Sequence, residues 1–283
     1  MTGIVPVRRR LLGAALRRYR ENLGFSLDDA AQILECDRSK VSRIETGQRG
    51  IRVKELRELL TEYGVAASEQ AALAAVAQQD RQQGWWQEYK DVLTDAGQDF
   101  VMLEAAATEI LCYEPHRVPD LLQTAAYARA VADADPAFGD EARRDHAVEV
   151  TLVRQRIVLE DRDRRIELLL GEGVLHQSVG GADVMRTQLA RLAAVVEQEP
   201  GVTLRVLPFT AGAHAAASCG GMAVLRFADA PGIGVIHLDA LSGGVSLAGP
   251  DEVARYVRAF AQLRLAALTP AASARLLREM ARD

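Results

Sequence analysis

Through the first 67 positions apolar residues recur three and four apart, and the recurrence comes in short lengths. Leu11, Leu12, Ala15, Leu16 and Tyr19 mark one face of a helix over about Val5 to Asn22, with Gly24 just past its end, where a left-handed cap is common. Ser26, with Asp29 three residues on, is an N-cap close to a capping box for a second helix, LDDAAQIL, whose stripe is Leu27, Ala30, Ala31 and Leu34. Asp37 stands at the N-cap of a third, RSKVSRIE. Only Val41 and Ile44 are apolar there, so Arg38, Ser39, Lys40, Ser42 and Arg43 are left outside. Gly47 ends that helix, and a fourth, VKELRELLTEYG, turns Leu56, Leu59, Leu60 and Tyr63 inward.

Beyond a bridging helix, about Ser68 to Gln79, comes GWWQEYKDVL. Further on, the pattern predicts a helix from about Phe100 to Cys112, a loop with Pro115 and Pro119, a helix through Val131 and a long helix in DEARRDHAVEVTLVRQRIVLEDR. The charges at its end, Arg162, Arg164 and Arg165, are expected in solvent. The period then changes. RIELLLGEGVL, GVTLRVLPF, GGMAVLRFAD and GIGVIHLDAL read as short strands, with the helix DVMRTQLARLAAVVEQ between the first two. Two helices, starting at Pro250 and Pro270, close the chain. The expected architecture is an all-α helix-turn-helix domain over 1–79, followed by an α+β domain over 80–283 with a small sheet surrounded by helices.

Charge sharpens this division. Residues 1–67 hold 13 Lys and Arg against 9 Asp and Glu, while the rest of the chain holds 21 against 30. A basic end on an acidic protein points to a polyanion-binding module joined to something else. No apolar run reaches the roughly 20 residues that span a bilayer, and Arg17, Arg18 and Arg20 interrupt any signal-like apolar stretch at the start. Cys36, Cys112 and Cys219 form no CxxC and are too few for a disulfide framework, which fits a cytoplasmic protein with reduced thiols.

A helix, a short turn and a short polar-faced helix make a helix-turn-helix unit, and its exposed face needs long donors for guanine and phosphate and short hydroxyls for close approach. Gly24-x-Ser26-Leu27-x-x-Ala30-Ala31 followed by Ser39-Lys40-Val41-Ser42-Arg43-Ile44-Glu45-x-Gly47 resembles the Xre family of phage-repressor-like domains. The resemblance implies that the third helix reads double-stranded DNA. Arg38, Ser39, Ser42 and Arg43 fall at base-reading positions, Lys40 near phosphate, and Ser26 and Arg49 at the same interface. It also implies a structural ion pair between Arg20 and Glu45. The chain departs from the family at Leu27, where many members carry a phosphate-binding Gln, and in the acids Asp28, Asp29, Glu35 and Asp37 close to the DNA side. One recognition helix covers few base pairs, so a homodimer on two half-sites is expected.

The stretches GWWQEY, YEPHRVPDLLQTAAYARA, VGGADVMRTQL, LRVLPFTAGAH and DEVARYVRAFAQLRLAAL resemble the uncharacterised DUF5753-type regulatory domain that follows Xre-type domains in regulators of high-GC bacteria. That resemblance implies a small protein partner encoded nearby, in an antitoxin-like arrangement, and no established activity or cofactor. A small-molecule sensor carried on a helix-turn-helix is the other reading. Trp85, Trp86 and Tyr89 at the domain junction, with His214 in the Gly- and Ala-rich segment 209–221, are the candidate ligand or partner region. That segment is expected to be a mobile loop. No Walker pattern, HExxH or nucleophile elbow is present, and the five histidines show no ligand spacing, so no catalytic residue or metal site is assigned.

Overall fold

The computed structural model describes residues 7–78, 84–227, 234–240 and 244–282. The expected start of the first helix at Val5, the domain boundary at 79/80 and the inner ends of GGMAVLRFAD and GIGVIHLDAL lie outside these residues.

The N-terminal helices are α1 (Val7–Asn22), α2 (Leu27–Ile33), α3 (Arg38–Glu45), α4 (Val53–Glu62) and α5 (Ala67–Gln78). The last four are short, and an isolated helix of that length is marginal in water; shared burial holds them. Leu11, Leu16, Ala30, Val41, Ile44, Leu56 and Leu60 are all essentially removed from solvent. Gly13 lets α1 and α3 meet closely, because a Cβ there would stand 2.5 Å from the Glu45 and Ile44 carbonyl oxygens. Gly24 takes φ 72° at the end of α1, where the Phe25 N–H donates back to the Arg20 carbonyl at 3.0 Å. Ser26 caps α2 in a complete capping box with Asp29. Asp37 occupies the N-cap position of α3, yet its side chain accepts no capping bond; the first turn closes through the Lys40 N–H onto the Asp37 carbonyl at 2.8 Å.

A short 3-10 turn over Trp85–Tyr89 leads to α6 (Asp95–Ala106). Then come β1 (Glu109–Glu114), α7 (Ala125–Ala134), α8 (Glu141–Leu159), β2 (Arg165–Gly171), the single turn α9 (Gly173–His176), α10 (Ala182–Gln198) and β3 (Val202–Leu207). The chain ends with β4 (Met222–Arg226), β5 (Gly234–Leu238), β6 (Val245–Leu247), α11 (Pro250–Ala266) and α12 (Pro270–Met280). The described strands form one sheet in the order β3-β2-β1-β4-β5-β6. β1, β2 and β3 run parallel; β4 is antiparallel to β1 and to β5, and β6 is antiparallel to β5.

The helix expected from Phe100 to Cys112 is therefore wrong in its second half. EILCYE is the central strand, buried on both faces: Ile110 and Cys112 face the layer with α6, α8 and α10, while Leu111 and Tyr113 face Phe260 and Leu263 of α11. β6 is a strand the alternation did not announce. Arg164 is not in solvent. It is 5 % exposed, and its guanidinium donates to the carbonyls of Glu104 and Ala105, both at 2.9 Å. A cation is favoured there, where α6 leaves carbonyls without helical partners.

The N-terminal helices dock on this layer. α1 packs on α6 and touches β5, and α5 packs on α6. Arg10 donates to the Ser246 carbonyl at 2.7 Å, and Arg8 points to the Met102 sulfur.

Candidate nucleic-acid interface

The outward side of α3 follows from its two anchors. Val41 and Ile44 are 1 % and 2 % exposed, which turns Arg38, Ser39 and Arg43 to solvent and leaves Ser42 and Lys40 half-buried at the margins. Glu45 faces inward. Arg20 holds it through both oxygens, Nε to Oε1 at 2.6 Å and Nη2 to Oε2 at 2.8 Å, and gives its remaining amino group to the Phe25 carbonyl at 2.7 Å. A bidentate pair of this kind fixes orientation as well as distance. It ties α3 to α1 and to the turn before α2. Glu45 holds the Arg20 guanidinium above its usual range, mainly by this hydrogen bond.

The remaining candidates divide by what they already touch. Arg43 donates through Nε to the Ser39 carbonyl at 3.1 Å, an exposed contact within α3. Arg38 has Asp28 at 3.5 Å across an exposed gap. Arg49 is exposed, and its backbone N–H bonds the Arg43 carbonyl at 2.9 Å. Ser26 is engaged in its cap: Oγ donates to Asp29 Oδ2 at 2.7 Å and accepts from the Asp29 N–H at 3.2 Å. Lys40 is engaged as well, with Nζ 2.7 Å from Glu55 Oε1 of α4. A phosphate would have to win it from that carboxylate. Glu35, between α2 and α3, is the one described non-glycine residue with positive φ, at 47°; it makes the sharp turn where a glycine would be unstrained.

A family model described as a helix-turn-helix domain matches residues 11–73. A second, described as a domain of unknown function (DUF5753), matches residues 98–279. The chain belongs to the DUF5753 family. No curated protein and no solved structure matches it. The helix-turn-helix match makes the N-terminal region that of a DNA-binding regulator, which points away from an enzyme. No helix among the described residues is long and apolar enough to cross a membrane.

The two candidate regions outside α3 do not meet. Trp85, Trp86 and Tyr89 fall between the matched segments and stack edge to face, Trp85 on Trp86 at 6.2 Å and on Tyr89 at 5.8 Å; Tyr89 in turn meets the His146 ring. Trp86 packs against the core layer under α6. His214 lies against Tyr113 at 5.8 Å, on the opposite face of the sheet. What the residue pattern missed in the DUF5753 domain is a buried charge cluster under α6 and α8. Arg154 takes both oxygens of Glu104, at 2.8 and 3.0 Å, and Asp120 at 2.6 Å; Arg117 also pairs with Asp120. His237 stacks on Phe100 at 4.1 Å, with Nδ1 2.9 Å from the Ser246 hydroxyl. Burial lowers its pKa, against the pull of Asp239. These residues are drawn from positions 100–246, so no local spacing signals them. Among the described residues no group of His, Cys, Asp and Glu is arranged to hold a metal ion.

Proposed function

We propose that this DUF5753 protein is a sequence-specific transcriptional regulator of the Xre type that binds double-stranded DNA through α3. Arg38, Ser39, Ser42 and Arg43 read bases, Arg49 and Lys40 meet phosphate, and Ser26 sets the start of α2 at the same surface. The observation that carries the reading is the single polar row on α3, held outward by two buried anchors and locked by the Arg20–Glu45 pair. One such helix contacts only a few base pairs, so the protein acts as a homodimer on half-sites about one helical turn apart. The C-terminal domain supplies regulation by sensing a ligand or a small protein partner, and the protein works in the cytoplasm. The exposed acids Asp28, Asp29, Glu35 and Asp37 beside the reading row lower the intrinsic affinity, so dimer formation matters for occupancy.

Selection of duplexes from a random library by the full chain tests this. The expected product is a pair of related half-sites, centre to centre about 10 base pairs or a multiple of that apart, bound by two protomers in light scattering. Recovery of no enriched sequence would overturn the reading.

A further inference from the structure

The C-terminal ends of β1 and β5 open on the same edge of the sheet, beside the antiparallel β4, where the strand direction changes. Clefts of that kind are where open α/β sheets bind ligands. Here lies a cleft, open to solvent, with room for about 40 Å³ of water-sized groups. Its walls are apolar at Ile110, Leu121 and Met222, with the Phe100 ring at one side.

The charges around it do not balance. Arg154 and Arg117 are the guanidiniums, and they face the carboxyls of Glu104, Asp120, Glu114 and Asp239. Arg154 is used by Glu104 and Asp120; Arg117 is used by Asp120 and, at 3.3 Å, by Asp239. Glu114 is left over. It is 7 % exposed and lines the cleft, yet among the described residues no N–H donor is hydrogen bonded to it; its hydrogen-bonding neighbour is the Asp239 carboxyl. Its carboxyl lies against Gly221, where a Cβ would stand 2.7 Å from Oε2. A buried carboxyl facing a second carboxylate holds either a proton or a cation between them. The nearest cation, Arg117, attracts Glu114 but is hydrogen bonded to Asp120 and Asp239, and burial disfavours a charged His237 ring, 3.5 Å from Asp239.

We propose that this cleft binds a primary ammonium group on a short aliphatic stem, held between the Glu114 and Asp239 carboxylates. The cleft has room for only a few water-sized groups, which suits an ammonium head better than a bulkier quaternary one. The stem lies along the apolar wall towards the mouth. The site borders the docked N-terminal domain: His237 bonds the Ser246 hydroxyl, and the Ser246 carbonyl accepts from Arg10 of α1.

In the empty site a proton takes the cation's place, because burial and the neighbouring acids push Glu114 up to about 8. An entering ammonium releases that proton, so affinity rises by up to about tenfold per pH unit below 8 and levels off above. Calorimetric titration of the full chain without DNA tests this separately from DNA reading. Free amines and lysine side chains carry the same head, so n-butylamine and Nα-acetyl-lysine methylamide are the two probes, with tetramethylammonium and n-butanol as controls. The expected result at pH 8.5 is saturable binding of n-butylamine, and of the lysine probe too if the natural ligand is a protein segment. Binding is at least about tenfold weaker at pH 6.5 and at least about tenfold weaker in Glu114→Gln and in Asp239→Asn. Two variants guard against a folding defect in either. Failure of both amines to bind, equal binding by both variants, or equal binding of tetramethylammonium would overturn the proposal.

Discussion

Arg20 and Glu45 in the N-terminal domain pair through both carboxylate oxygens, with each guanidinium nitrogen donating and Glu21 at 3.6 Å on the exposed side. Under α6 and α8 the same chemistry is assembled in a different proportion, with Arg154 and Arg117 against a larger number of carboxyls. The first arrangement is closed: nothing can be added, and its effect is to set the angle of α3. The second keeps one buried carboxyl, Glu114, with no hydrogen-bonded basic partner among the described residues, in a wall that opens to solvent. Paired charge specifies geometry, whereas surplus buried charge costs stability and persists where something else makes use of it.

The widest separation of the two clusters comes from removing a guanidinium. Arg154→Ala leaves Glu104 and Asp120 buried without their common partner and is expected to cost about 3–5 kcal/mol; Arg20→Ala, which strips only Glu45 of a bidentate partner, about 2 kcal/mol. Thermal melts of both variants check the order, and an Arg20 cost equal to that of Arg154 would erase the contrast.

Glu114→Gln reverses the sign. The carboxyl is raised from 4.5 to about 8 on folding. The folded protein therefore keeps a proton that the unfolded chain has lost, and its stability falls as pH rises from about 4.5 to about 8. Glutamine cannot ionise, so the variant gains on the order of 3 kcal/mol at pH 8.5 and close to nothing at pH 4.5. Denaturant midpoints at the two pH values measure this, and a gain independent of pH would show that Glu114 carries no such burden.

A smaller effect separates structural from reading roles on α3. Lys40 is bound to Glu55 in the free protein. Glu55→Gln releases it and should tighten binding to all duplexes a few-fold, while Lys40→Ala should weaken all alike and lower the salt slope by about one. Anisotropy titrations at several salt concentrations give both numbers.

How far these features were visible in the sequence follows the same division. The N-terminal helices could be read because caps, glycines and apolar stripes agree locally: Ser26 with Asp29, Gly24, and Val41 with Ile44. The α+β layout was visible as a change of period. EILCYE was not, because a strand buried on both faces shows no alternation and continues the apolar run of α6; pairing with Arg165–Leu170 and with Met222–Arg226 decides it. Arg164 looked solvated in a charged run, but it closes the end of α6. The Glu114 cleft was illegible for a simpler reason. Its members lie on α6, β1, the loop after β1, α8 and β5, and only the sheet topology brings them together.

The central assignment is α3 as the reading helix. With the selected duplex and its single-base variants, anisotropy titration of Arg43→Ala measures that directly. The account predicts a loss of about 1–3 kcal/mol that is confined to one base position per half-site, where the variant no longer discriminates. Unchanged affinity and unchanged base preference at every position would contradict it.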